Sequence, residues 1–260
     1  MDFLTALLFG LLQGLSEFLP VSSSGHLVIG QKLIDVEPTG IVLEVFLHLG
    51  TLLAVLVFYK NTVFSLVVGA FKRKKKEVRY LGKLVVGTLP VATLAVFARD
   101  IIQGAFELGW VTGVSLIVTG FVLFSTKKSL TTRTEREPSW SEAWWIGCAQ
   151  AIAILPGISR SGVTVSAALA FGISFKSAAE FSFMLSLLAI SGATVMSVPE
   201  FFAEGKLFQS SLFFGAFVAA ISGFVALGLF IRFLRSGTLH RFAYYDWIVG
   251  VLFLVWLFVE

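Results

Sequence analysis

Residues 13–26 read QGLSEFLPVSSSGH, and the reading of this stretch decides the fold. A glutamine, a glutamate, four serines and a histidine stand together in a chain of 260 residues that is 57% hydrophobic and only 14% charged, with a mean hydropathy of +0.89. Soluble domains carry about 25% charged residues, so this composition belongs in a bilayer. A proline in the middle of the stretch removes a backbone donor and breaks a helix. Irregular backbone at membrane depth persists only where protein buries it or a wet cavity receives it. The stretch therefore implies a cavity.

A second stretch behaves the same way. Residues 155–162, LPGISRSG, interrupt the apolar region 142–173 as LPVSSSGH interrupts 2–34. The pieces after the breaks, such as Leu27–Ile34, rise only about 12 Å as helix, whereas crossing the hydrocarbon takes about 30 Å. Each region is thus predicted to be a re-entrant helix–loop–helix that dips in and returns. Six other segments, 41–59, 81–98, 110–125, 177–198, 211–231 and 246–259, have the length and apolarity of spans or nearly so.

Basic residues orient these spans, because short cytoplasmic loops collect Lys and Arg. Most of the 20 fall in 60–83, in 126–141 and at Lys176, Arg232, Arg235 and Arg241, while Lys32, Arg99 and Lys206 fall on the other side. The spans alternate consistently only if 142–173 begins and ends in the cytoplasm. The same parity predicts that 35–40, 199–210 and both termini lie outside. The run KRKKK at 72–76 reads as this topology signal, so no nucleic-acid partner follows from the net charge of +4. Asp2, with no basic residue before the first apolar run, argues against a cleaved secretory signal. Cys148 is the single cysteine, which excludes an intrachain disulfide and a thiolate cluster; it reads as a small core residue.

The two interrupted regions repeat one another. Gln13 and Gln150 are 137 positions apart, as are Ser24 and Ser161; Pro20 and Pro156, and Glu44 and Glu180, are 136 apart. Three spans, an odd number, follow each break, so the second copy is predicted to be inverted, as in many transporters. The expected fold is an all-α polytopic membrane protein in one domain, 1–260. A first repeat, 1–125, holds hairpin 2–34 and three spans. A second, inverted repeat, 137–260, holds hairpin 142–173 and three spans.

The polar residues at the breaks suit an anion. Gln13 and Glu17 are four apart and share a helix face. Ser22, Ser23 and Ser24 are good N-cap residues, Gly25 admits a close ligand, and the helix that starts near His26 aims its amides into the cavity. PGISRSGVT repeats the device with Ser159, Ser161, Gly162 and Thr164 and adds Arg160, whose planar fork matches two phosphate oxygens. Intramembrane charges cost about 2.5–3.5 kcal/mol on insertion scales, and Glu17 and Arg160 therefore need a reason. A structural Glu17–Arg160 ion pair is one; a phosphoryl-transfer site is the other. In the second, Arg160 and the helix termini stabilise charge, Glu17 and the Gln13 carbonyl hold a divalent cation, a serine or a water attacks, and His26 serves as general acid or base. Glu44, His48 and Glu180 read as structural support, His240 as solvated, the Gly10/Gly14 and Gly109/Gly113 pairs as helix contacts, the phenylalanines as lipid-facing bulk and Trp140, Trp144 and Trp145 as an interfacial belt. No Walker-type phosphate loop is present. A lipid-phosphate flippase or anion carrier is the alternative class, since inverted repeats and midplane sites are its usual marks.

Over essentially its whole length the chain resembles the undecaprenyl-diphosphatase, or bacitracin-resistance, family. QGLSEFLPVSSSGH meets that family's acidic motif and its proline–serine–glycine–histidine turn, and PGISRSGVT meets its Pro-Gly-x-Ser-Arg-Ser-x-x-Thr motif. The resemblance implies a bacterial plasma-membrane enzyme that removes the terminal phosphate of undecaprenyl diphosphate, recycles the lipid carrier of cell-wall synthesis, confers bacitracin resistance and uses Mg2+ or Ca2+. It assigns essential roles to Glu17, Ser23, His26 and Arg160, with Ser23 the preferred nucleophile. The parity of the spans, which has the first break enter from outside, predicts an active-site opening on the outer side. A homodimer is a further expectation, one on which the residues themselves are silent. One departure is Gln13, where many members have glutamate: an amide ligates but cannot act as a base.

Overall fold

The computed structural model describes residues 2–34, 40–128, 134–197 and 209–259. Lys206, Arg133 and nearly all of the predicted external segments 35–40 and 199–210 lie outside the described residues. Among those described there is no strand beyond one isolated bridge, and the α-helices, joined by turns and two short 3-10 helices, are α1 Phe3–Phe18, α2 Ser23–Leu33, α3 Gly40–Phe58, α4 Lys60–Phe71, α5 Lys75–Phe97, α6 Arg99–Glu107, α7 Gly109–Ser125, α8 Trp140–Ile152, α9 Arg160–Ala170, α10 Phe175–Met196, α11 Ser210–Arg235 and α12 Phe242–Val259. Four helical stretches are long and apolar enough to cross a membrane: Lys75–Phe97, Phe175–Met196, Ser210–Arg235 and Leu239–Val259. Two bent pairs, α3 with α4 at 82° and α6 with α7 at 96°, raise the number to six if each pair is one span. The chain is a polytopic membrane protein.

Helix starts follow from capping side chains. Asp2 Oδ1 accepts from Thr5 N at 2.7 Å at the head of α1, and Ser139 and Glu142 form a reciprocal capping box at α8. The helices α4 and α6 were not foreseen, and α5 begins at Lys75 rather than near 81. Lys75, Lys76, Glu77 and Arg79 are good helix formers that carry α5 beyond its apolar stretch, where a search for apolar runs sees only a loop.

Packing is reciprocal between the two halves. The first helix of each hairpin lies on a long helix from the other half, α1 on α11 and α8 on α5, while α7 packs on α12. Glycines set the approach. A Cβ on Gly10 would lie 2.6 Å from the Gly215 carbonyl oxygen of α11, and one on Gly147, 137 positions later, would lie 2.8 Å from Gly87 Cα of α5. Gly113 likewise admits Leu254 of α12.

Several expectations need correction. Phe9, Phe18, Phe181, Phe183 and Phe230 are buried in the core, where Phe183 meets Phe18, Tyr59 and Phe230, whereas Phe71, Phe97 and Phe258 fit the expected lipid-facing bulk. Aromatic bulk is what separate helices use to fill the space between them. Cys148 and His240 are half-buried rather than core and solvated, and His240 Nδ1 is shielded with no partner among the described residues.

Residues 134–137, in the segment that links the halves, are pinned. Thr134 pairs with Ile173, Arg136 forms two 2.7 Å bonds to Glu142 and one to the Phe171 carbonyl, and Lys83 bonds Glu137 at 3.0 Å. A hydrogen bond from Lys176 holds the Glu135 carboxyl below the ordinary carboxylate range.

Candidate active site

Both tips are built by proline and serine. Pro20 forces Leu19 into extended backbone, which ends α1 directly after Glu17 and Phe18. Ser22 then caps α2: its hydroxyl accepts from Gly25 N at 3.3 Å, and its carbonyl accepts both His26 N and His26 Nδ1, the latter at 2.8 Å. Ser22 sits at φ 66°, a conformation that costs a non-glycine residue about 1–3 kcal/mol and is found where the surroundings enforce it. The second tip repeats the arrangement. Ser159 caps α9 by accepting from Gly162 N at 3.2 Å, and the Ser22–Ser24 hydroxyl contact of 3.3 Å recurs between Ser159 and Ser161 at 3.3 Å. Thr119 of α7 fixes this tip by donating to the Gly157 carbonyl and accepting from Ser159 N.

The tips touch. A Cβ on Gly25 would lie 2.9 Å from Gly157 Cα, and Ser161 Oγ donates to the Leu19 carbonyl at 3.4 Å. Gly157 itself holds φ 95°, which suits glycine. Glu17 is the shared centre. Its carboxylate accepts from Ser23 Oγ of the first tip and pairs with the Arg160 guanidinium of the second, Gln13 Nε2 donates to it at 3.1 Å, and His48 Nε2 is 3.8 Å away. The carboxylate is buried, and these donors compensate for the lost water.

The ion pair foreseen as a structural alternative is therefore present. It is not sealed in the core, however, because Glu17 and Arg160 line a cavity of about 400 Å³ together with Ser22, Ser23, Ser24 and Ser159. Glu44 and His48 of α3 and Gln150 of α8 add to the polar lining, as do Thr88, Thr194 and Ser197, and α5, α6 and α10 supply mostly apolar walls. A polar end beneath an apolar vestibule suits an amphiphile with an anionic head.

Not every expected residue faces this cavity. Gly25 and Gly162 contribute backbone in the first turns of α2 and α9. Ser161 and Thr164 are buried behind the tip, where Thr164 bonds the Arg160 carbonyl at 2.7 Å and meets Ser182. Gln13 lies fully buried below Glu17, and among the described residues its Oε1 has no partner. His26 lines a second cavity of about 530 Å³, where its Nε2 meets the Tyr245 hydroxyl at 2.7 Å and the two rings stack. Sequence spacing underrated His48. Its Nδ1 is bound to the Glu44 carbonyl at 2.7 Å, which leaves Nε2 turned to Glu17. The only signal was an ionisable side chain within an apolar run.

Comparison with known proteins spans the chain that carries these residues. The profile of the family described as Bacitracin resistance protein BacA matches residues 6–252. Undecaprenyl-diphosphatase 4 of Bacillus cereus (strain ZK / E33L) is 37% identical over 264 residues, covering 100% of this chain and 99% of that protein. The undecaprenyl-diphosphatases of Halothermothrix orenii and Carboxydothermus hydrogenoformans are 37% and 36% identical, over 98% of this chain and 98% and 97% of their own.

Proposed function

The chain belongs to the bacitracin resistance protein family, and from that membership we propose that its two touching tips are the active site of an undecaprenyl-diphosphatase. The reaction consumes undecaprenyl diphosphate and water and yields undecaprenyl phosphate and inorganic phosphate, which recycles the lipid carrier of peptidoglycan synthesis and underlies bacitracin resistance. The observation that carries the site assignment is the single Glu17 carboxylate receiving Ser23 from one tip and Arg160 from the other.

In the proposed mechanism the diphosphate enters the cavity and Arg160 transfers from Glu17 to the phosphate oxygens, where its fork opposes the charge of the transferring group. Glu17, freed of its counter-ion, takes the proton of Ser23. The Ser23 oxygen bonds to the terminal phosphorus as the bond from that phosphorus to the bridging oxygen breaks, and undecaprenyl phosphate departs. Glu17 hands that proton to the bridging oxygen of the departing undecaprenyl phosphate. Water then attacks the phosphoserine phosphorus, and Glu17 takes its proton and returns it to the Ser23 oxygen as the phosphorus–oxygen bond breaks and inorganic phosphate leaves. Ser22, Ser24, Ser159 and the first-turn amides of α2 and α9 bind the phosphates, and Ser161, Gly162 and Thr164 hold the second tip in place. His26 acts from behind, by fixing the Ser22 carbonyl and with it the serine turn.

A divalent cation, Mg2+ or Ca2+, fits these residues in one respect. Among the described residues no three His, Cys, Asp or Glu come together, but Gln13 Oε1 is a buried oxygen with no partner, directly below Glu17. Magnesium is commonly held by one or two carboxylates with substrate phosphates, and Gln13 and Glu17 are the proposed protein ligands. Such an ion neutralises phosphate charge. Chelation is expected to abolish activity and Mg2+ to restore it; full activity in excess chelator contradicts the proposal.

The finer topology is proposed as well: six spans, two re-entrant hairpins and repeats 1–125 and 137–260 in inverted order. Its support is the reciprocal packing of α1 on α11 and α8 on α5. The proposed placement in the bacterial plasma membrane puts both termini and the cavity mouth outside. The cavity residues of α5 and α10 lie toward the C-terminal ends of those helices, away from Lys75, Lys76, Arg79 and Lys176 at their starts. A homodimer is a separate proposal, tested by the mass of the detergent-solubilised protein.

The deciding assay is phosphate release from undecaprenyl diphosphate by pure protein in detergent. Glu17→Gln, Ser23→Ala and Arg160→Ala are each expected to lose at least about 10²-fold in kcat/KM, the scale of removing one transition-state partner. Near-wild-type activity of Arg160→Ala overturns the site. Translocation measured in proteoliposomes tests the transporter reading separately.

A further inference from the structure

The two repeats differ at one informative place. Gln13 is followed four residues later by Glu17, and its amide donates to that carboxylate. Gln150, its counterpart 137 positions on, is followed four residues later by Ile154. Gln150 is 1% exposed, yet among the described residues neither Nε2 nor Oε1 has a partner. It nevertheless belongs to the cavity wall, beside Ile154, Ser159 and Arg160. A buried amide that hydrogen-bonds nothing is unfavourable and calls for an explanation.

We infer that Gln150 is a head-group-binding residue whose Nε2–H donates to a phosphate oxygen of the bound diphosphate, which supplies the acceptor that Glu17 supplies to Gln13. The arrangement has an electrostatic sense. A carboxylate at position 154 would satisfy the amide but repel the incoming phosphates, whereas Ile154 leaves the donor waiting for an anion. The partner absent from the free protein arrives with the substrate. This inference rests on the proposal that the diphosphate binds in this cavity.

The test is Gln150→Leu, which keeps the bulk and removes the amide. A binding role predicts a rise in KM of about tenfold with kcat within about threefold of wild type, the pattern of an interaction present in both ground and transition states. Removing an orphaned amide also predicts a melting temperature equal to or above wild type, together with a smaller thermal shift on adding inorganic pyrophosphate. A merely structural glutamine moves neither KM nor the pyrophosphate shift, and that result overturns the inference, as does a fall in kcat at unchanged KM. Gln150→Met gives the same reading if the leucine variant does not fold. Arg160→Ala is run beside it. If that variant stays active, the cavity itself is misassigned; if it fails while Gln150→Leu behaves as wild type, the inference about Gln150 falls and the site stands.

Discussion

Adding one methyl group at Gly25 tests the contact between the tips without touching a reacting atom. The Cβ of Gly25→Ala would lie 2.9 Å from Gly157 Cα, 3.2 Å from Gly157 N and 3.3 Å from Ser22 Oγ. Ordinary carbon contacts fall at about 3.5–4.0 Å, so the tips must part by about 0.6–1 Å. Gly157 has little room to recoil, because Thr119 holds its carbonyl at 2.9 Å and Ser115 Cβ would be 2.7 Å from any Cβ placed on it. The displacement therefore falls on the serine turn, which separates Ser23 from the partners of Glu17. Overpacking destabilises by about 1–3 kcal/mol, and the helix propensity gained from Gly to Ala returns about 0.8–1 kcal/mol. Stability should thus fall modestly, while a misplacement near 1 Å costs about 10²-fold in rate. Phosphate release should drop by about 30–100-fold in protein that still purifies folded. A Gly25→Ala enzyme within threefold of wild type would refute the claim that the tips must meet this closely.

Two further outcomes follow from contacts outside the cavity. If His26 works by donating Nδ1–H to the Ser22 carbonyl, His26→Ala should lose most activity, His26→Asn should recover at least about tenfold of it, and Tyr245→Phe should remain within about threefold of wild type; an asparagine variant as inactive as alanine, measured by phosphate release, assigns His26 a proton-transfer role instead. Arg136→Leu leaves Glu142 without its two 2.7 Å bonds, and at about 1–2 kcal/mol for a partly exposed charged pair the melting temperature should fall by about 2–8 °C, whereas an unchanged melting temperature shows that the link between the halves does not depend on this pair.

The hairpins were legible because their causes are local. Pro20 and Pro156 stop helices wherever they occur, and serine followed three residues later by glycine caps the next helix in either half. The pairing of Glu17 with Arg160 could be anticipated because lone charges at membrane depth need partners. The position of His26 could not: it follows from which neighbouring helix, α12, meets that side of α2, and Tyr245 is 219 positions away. For the same reason His48 read as support, since its approach to Glu17 depends on how α3 leans on α1. The helices α4 and α6 escaped because their charged or short sequences lack the length that marks a span, and the buried phenylalanines because composition alone does not tell a lipid-facing ring from one between helices.

A double-mutant cycle between the tips tests the central claim most directly, by kcat/KM for wild type, Ser23→Ala, Arg160→Ala and the double variant. One shared site around Glu17 predicts strong non-additivity, with the double variant no more than about threefold worse than the poorer single one. Losses that simply multiply would show that the two tips act independently and contradict the account.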